Sequence, residues 1–215
     1  MRAAIFLNGV PDSEPLLGAV AKAADLIVAA DGGAGHALAA GIVPDLIVGD
    51  LDSIEGDLAR EMVGRGAELQ RHPTEKDKMD GHLAVLAAKE RGATAADFVC
   101  AAGGKPGAVF AIPHILLAAE RRGLRSTVFA DWGRMFVLEA GSRVVEGAAG
   151  DSVSIFPLAG PATGVTLEGM TYPLQNAILE PGDTLGFHNE LVGRRAFASV
   201  EGGTLLLVQE NELDP

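Results

Sequence analysis

From the N-terminus to about Glu139, short apolar runs alternate with Ala-rich segments whose apolar positions recur at helical spacing. The runs "AAIFLN" (3–8), "LIVAA" (26–30), "LIVG" (46–49), "AELQ" (67–70), "DFVCAA" (97–102) and "RSTVFA" (125–130) read as strands, and helices are predicted near 14–24, 34–40, 55–65, 79–91 and 110–122. Gly41, Gly66, Gly92 and Gly123 stand where helices stop. This alternation predicts an α/β fold: a mainly parallel sheet flanked by helices on both faces. Ligands of such sheets bind outside the carboxyl ends of the strands, and Asp31, Asp50 and Asp52 fall at such ends.

After about Gly141 the helical period disappears. "DSVSIFPL", "GVTLEGMTYPL", "DTLGF", "RRAFASV" and "GTLLLVQ" alternate with turn signals such as "EPGD" and "EGG", the pattern of a small β-sandwich. The expected division is a catalytic α/β domain over 1–139 and a C-terminal β-sandwich domain over 140–215, with the strand "WGRMFVLEA" in the first.

The 215 residues are enough to bury a real core. A net charge of −12 argues against nucleic acid or an anionic membrane as partner, yet permits a phosphate-bearing substrate, because a bound cation reverses the local sign. No apolar stretch reaches transmembrane length, and the first residues show no adequate signal-peptide core. The single Cys100 fits a reducing cytoplasm.

Three stretches stand out chemically. In "AADGGAGHALAAG", a strand runs into Asp31, Gly32 and Gly33 before a short helix, where backbone amides can approach an anion; an ordinary strand-to-helix turn has the same pattern. "VGDLDS" places Asp50 and Asp52 one residue apart at a strand end, which suits either a solvated turn or a divalent-cation site. In "RHPTEKDKMDGHLAVLAAKE", Asp77 and Asp80 stand three apart at a helix start, which puts them nearly on one face, with Lys76 and Lys78 beside them. There is no P-loop and no G-x-G-x-x-G, so any nucleotide site is built another way.

Taken in series, ADGG, P-D-x-I-x-G-D-x-D-S, E-K-D-x-x-D, "LEGMTYPL" and "GFHNE" resemble the thiamin pyrophosphokinase family over most of the chain. The resemblance implies an α/β domain followed by a β-sandwich, a homodimer with a shared active site, and transfer of pyrophosphate from ATP to the hydroxyl of thiamin with release of AMP. It implies further that Asp50, Asp52 and Asp80 hold Mg²⁺, with Asp77 in the adjoining acidic position. Asp31, Gly32, Gly33, Ser53, Lys76 and Lys105 would then serve the nucleotide, and His188 and Asn189 the thiamin.

Departures from the family pattern gather at the organic substrate. Met79 stands where E-K-D-x-T-D has Thr. Lys105, Gly107, Ala108 and Ile112 replace the Arg, Asp, His and Asn of the G-G-R-x-D-H segment, and Pro113 is expected to break or delay the helix there. His188 replaces the Ser of G-x-S-N-E. Three readings follow: a thiamin pyrophosphokinase; a pyrophosphokinase for another small alcohol, such as a pterin or pyrimidine; and a catalytically weak nucleotide- or thiamin-binding homologue.

Overall fold

A computed structural model describes residues 1–50, 56–73 and 77–211. The chain forms two compact units, Met1–Asp131 and Trp132–Pro215. No helix among the described residues is long and apolar enough to cross a membrane.

The first unit contains β1 (Arg2–Phe6), α1 (Glu14–Lys22), β2 (Leu26–Ala30), α2 (Gly33–Ala39), β3 (Leu46–Gly49), α3 (Gly56–Gly64), β4 (Glu68–Arg71), α4 (Asp80–Glu90), β5 (Ala95–Val99), α5 (Pro106–Glu120) and β6 (Arg125–Ala130). All pairings among its strands are parallel, in the order β6-β5-β1-β2-β3-β4. Consecutive residues of β1, β2, β3 and β5 are buried, as both-face coverage by helices demands. One core gathers Phe6, Leu17, Val20, Ile47 and Met62 from β1, α1, β3 and α3. The chain winds outward from β1 to β4, then returns to β5 on the other side of β1. A topological switch point therefore lies between β1 and β5.

Helix α5 departs from expectation in two ways. It begins at Pro106, four residues earlier than 110, because a proline suits the first helical position, where its missing N–H has no intrahelical partner anyway. It also runs unbroken through Pro113. The acceptor that Pro113 leaves without a donor belongs to Val109, which lies at the surface where water can take over.

The second unit is antiparallel throughout: β7 (Gly133–Glu146), β8 (Ser152–Pro157), β9 (Ala162–Glu168), β10 (Leu174–Leu179), β11 (Asn189–Glu190) and β12 (Arg195–Glu210). These strands are consistent with the expected sandwich, and they enclose a core that includes Phe136, Ile155, Leu167, Leu179 and Leu207. The fold is thus mixed α/β, parallel in one unit and antiparallel in the other. Strand β7 runs across the expected boundary at 139/140 and belongs wholly to this unit, because it pairs with β12 along nearly its full length. "DTLGF" is no strand but a turn-rich approach to β11.

"RRAFASV" and "GTLLLVQ" are one strand, not two. Between Val200 and Thr204 the register advances four residues on β12 against two on β7, a bulge built on "EGG". Burial changes parity across it: Ala196, Ala198 and Val200 are buried before it, Leu205, Leu207 and Gln209 after it. The first half then pairs with β9 and the second with β8. Gly203 makes this possible, with φ of 86° and no room for a Cβ, which would lie 2.3 Å from the Pro161 carbonyl oxygen. Gly203→Ala is expected to destabilise the protein by about 2 kcal/mol or more. Urea unfolding checks this, and a midpoint equal to wild type would refute the role given to the bulge.

Candidate functional site

The carboxyl edge of the parallel sheet opens into a cleft of about 380 Å³ whose lining includes Asn8 after β1, Asp31 after β2, Cys100 after β5, and Asp80 at the start of α4. This is the switch-point position expected of a doubly wound sheet.

Asp31 is 6% exposed and has φ of 47°. Its amide donates to the Val48 carbonyl at 2.8 Å, so the turn leaving β2 is pinned to β3. Its Oδ1 is buried with no hydrogen-bond partner among the described residues. A Cβ on Gly49 would lie 3.0 Å from Asp31 Cβ and 3.2 Å from Asp80 Oδ1. Gly49 therefore leaves room between Asp31 and the Asp80 carboxylate, and half-buried Asp50 follows directly. Asp80 is the first residue of α4, where the helix dipole favours a negative charge.

Other expected site residues are distributed differently. Asp52, Ser53 and Lys76 lie outside the described residues. Asp77 does not share a helical face with Asp80, because α4 begins only at Asp80 and Met79 is its N-cap. Exposed Asp77 instead borders a second depression, of about 460 Å³, with His82 and His114. Burial, reinforced by the positive charges of Arg122 and Lys78, holds the His82 imidazole below its ordinary range. Among the described residues no three His, Cys, Asp or Glu side chains form a group able to hold a metal ion; Asp52 is not among them.

Gly32 and Gly33 have a packing reason. A Cβ at Gly33 would lie 2.2 Å from the Phe6 carbonyl oxygen, and one at Gly32 would lie 2.4 Å from the Asn8 side chain. The next amides, of Ala34 and Gly35, bond back to the Asp31 and Gly32 carbonyls at 3.0 Å each. Lys105 is the exposed N-cap of α5 and borders the cleft, whose wall on that side is Ala108, Ile112 and Ile115; Gly107 is exposed.

In the second unit, exposed His188 has φ of 54°, accepts no described bond at its ring, and sits edge-on to Phe187 with ring centroids 4.6 Å apart. Its amide donates to Ser154 Oγ at 3.2 Å. Asn189 is 1% exposed: its Oδ1 accepts from the Tyr172 and Glu190 amides, and its Nδ2 donates to the Tyr172 carbonyl at 2.7 Å. Asn189 thus pins the segment around Tyr172, leaving that ring 65% exposed.

Residues 17–128 match the model of the thiamin pyrophosphokinase catalytic domain, and residues 143–205 match that of the thiamin pyrophosphokinase vitamin B1 binding domain. The first match alone covers more than half of the chain. The chain belongs to the thiamin pyrophosphokinase family. It is similar to the thiamine pyrophosphokinase of Bacillus subtilis (strain 168), 25% identical over 188 residues, which cover 87% of this chain and 88% of that protein. Among solved structures, thiamine pyrophosphokinase from Bacillus subtilis superposes with a TM-score of 0.85 at 23% identity, over 99% of this chain and all of that one. Thiamin pyrophosphokinase from Geobacillus thermodenitrificans gives 0.79 at 26% identity, over 99% and 98%. As a family member the chain transfers pyrophosphate from ATP to thiamin, and the match over 143–205 favours thiamin above a pterin or pyrimidine alcohol.

Set within the thiamin pyrophosphokinase family, Met79 gains a specific reading. It caps α4 with φ of −65° and ψ of 152° but offers the helix no side-chain acceptor, and it is 46% exposed. Restoring the hydroxyl with Met79→Thr should stabilise the protein by roughly 0.5–2 kcal/mol. Thermal unfolding at fixed pH is the check, and a lowered melting temperature would contradict the capping argument.

Proposed function

We propose that Asp50, Asp52 and Asp80 hold Mg²⁺ near the carboxyl edge of β3, with Asp31 beside them, and that the adjoining cleft takes the ATP phosphates. The observation that carries this reading is that Asp31 and Asp80 both approach Gly49 and line one cleft, with Asp31 Oδ1 buried and without a partner among the described residues. Hard carboxylate oxygens are the donors Mg²⁺ prefers, and two carboxylates brought together repel one another unless a cation compensates. Mg²⁺ bound there would neutralise phosphate charge and polarise the phosphoryl oxygens.

The chain's own residues supply position and charge. Lys105 brings a positive charge to the cleft's rim, with Lys76 and Ser53 further groups for the nucleotide. Gly32 and Gly33 bring the turn after β2 close against β1 and so shape the floor beside Asp31. The thiamin hydroxyl oxygen bonds to the β-phosphorus, the bond from that phosphorus to the oxygen of the AMP moiety breaks, and the hydroxyl proton passes to a carboxylate such as Asp77 or to solvent. His188, Asn189 and the Tyr172 segment that Asn189 pins form the thiamin side, facing the aspartates of a second copy in a homodimer. A reducing cytoplasm suits the buried thiol of Cys100.

Asp50→Asn and Asp52→Asn are each expected to lower Mg²⁺-dependent AMP formation at least about a hundredfold with the fold retained, as loss of a charged ligand at a phosphoryl-transfer site does. Wild-type rates with unchanged metal dependence would overturn the assignment. Mixing inactive Asp50→Asn subunits with folded Asn189→Ala subunits tests the shared site. Restored activity is expected, and none after demonstrated subunit exchange would refute it.

A further inference from the structure

Cys100 leaves β5 with φ of 55°, a conformation that a residue bearing a side chain keeps only where its surroundings over-determine it. Three hydrogen bonds do this. The Cys100 amide donates to Asp12 Oδ2 at 2.7 Å. The Gly9 amide donates to the Cys100 carbonyl at 2.8 Å, and the Val10 amide to the Ala102 carbonyl at 2.7 Å. Two of the three are backbone links between the loops that leave β1 and β5. The third depends on one side chain, 88 residues away in sequence.

Asp12 is itself held in place. The Asp131 amide donates to Asp12 Oδ1 at 3.3 Å, and the Asp131 carboxylate accepts from the Ser13 amide at 2.8 Å and from Ser13 Oγ at 2.6 Å. One carboxylate therefore ties together the chain segments leaving β1, β5 and β6, at the switch point of the sheet. Residues 100–105 continue from this tie directly into the cleft wall, through Ala101, Gly103 and Gly104 to Lys105. Asp12 does not line the cleft.

The choice of an acid here is costly for folding alone. Burial raises the Asp12 carboxyl above its ordinary range, the amides of Cys100 and Asp131 oppose that rise, and the negative charge of Asp131 adds to it. A neutral amide would accept the Cys100 N–H without that cost, whereas an ionised carboxylate accepts it more strongly. Cys100 contributes no competing charge, since burial pushes its thiol up to about 11.

We propose that Asp12 is a positioning residue for pyrophosphoryl transfer: its carboxylate holds the left-handed turn at Cys100, and through it residues 100–105, in the conformation that receives the ATP phosphates. This rests on the reading of the cleft as the nucleotide site. The test measures binding of α,β-methylene-ATP in the presence of Mg²⁺, with KM and kcat for ATP and the melting temperature, in the full chain. Asp12→Ala is expected to raise both the Kd of the analogue and the KM for ATP about tenfold or more, the loss of a charge-assisted bond, in protein that remains folded. Asp12→Asn, which keeps an acceptor for Cys100, is expected to return Kd to within about threefold of wild type. Unchanged Kd and KM in Asp12→Ala, or an Asn variant no better than the Ala variant, would overturn the proposal. If Asp12→Ala does not fold, Asp12→Gln carries the test: its longer side chain displaces the acceptor, so Kd should rise, and a wild-type Kd overturns the idea. Asp80→Asn and Lys105→Ala separate the two levels. If both leave analogue binding unchanged, the nucleotide reading of the cleft fails; if they weaken it and Asp12→Ala does not, only the positioning role fails.

Discussion

Two acidic residues, Asp31 and Asp80, approach one residue that has no side chain, and the architecture of the first unit makes that approach possible. Parallel pairing of β2 with β3 brings Asp31 beside Gly49, and the start of α4 brings Asp80 to the same point. Like charges gathered in one cleft oppose folding unless something offsets them. The offset within the chain comes from elsewhere: β1, β2, β3 and β5 are buried on both faces, and the helix dipole of α4 favours Asp80. The scaffold thus holds in place an arrangement that its own charges disfavour.

Backbone conformation makes the same point from another direction. Asp31 and Cys100 end neighbouring regions of the sheet's carboxyl edge, and both are left-handed without being glycine. Strain of this kind is worth about 1–3 kcal/mol per residue and survives only where several bonds impose it. At Asp31 the bond to Val48 does part of this, and at Cys100 the loop after β1 does. The carboxyl edge of the sheet is therefore held in part by main-chain bonds at these two turns.

Much of the first unit was legible because its strands are short continuous apolar runs; those at 26–30, 46–49 and 125–130 fall where the pattern puts them. The rule that acids at strand ends stand at a sheet's ligand edge pointed to Asp31 and Asp50, and the structure has Asp31 directly after β2 and Asp50 directly after β3. What escaped was whatever depends on distant partners. Asp12 reads as an ordinary loop acid, since nothing local marks Cys100 or Asp131 as its partners. Asp77 and Asp80 looked like helix neighbours because periodicity does not fix where a helix begins to within a residue or two, and the start at Asp80 separates them. In the second unit, "EGG" has the composition of a turn, yet its neighbours on both sides pair with β7; only that shared partner reveals a bulge within one strand. Asn189 is expected from the sequence at the thiamin side, and its buried amide is committed to the backbone around Tyr172, a role that its spacing in "GFHNE" does not encode.

Strand β12 has a consequence for the order in which the chain folds. It pairs with β7, β8 and β9, so it is the central member of the second unit although it is made last among that unit's strands. During synthesis, β7, β8 and β9 emerge with their eventual partner β12 missing, while the first unit already has all of its strands. The first unit can assemble as the ribosome proceeds. The vitamin-binding half must wait for nearly the whole polypeptide, and in that interval its exposed strand edges are where chaperones, or aggregation, would act.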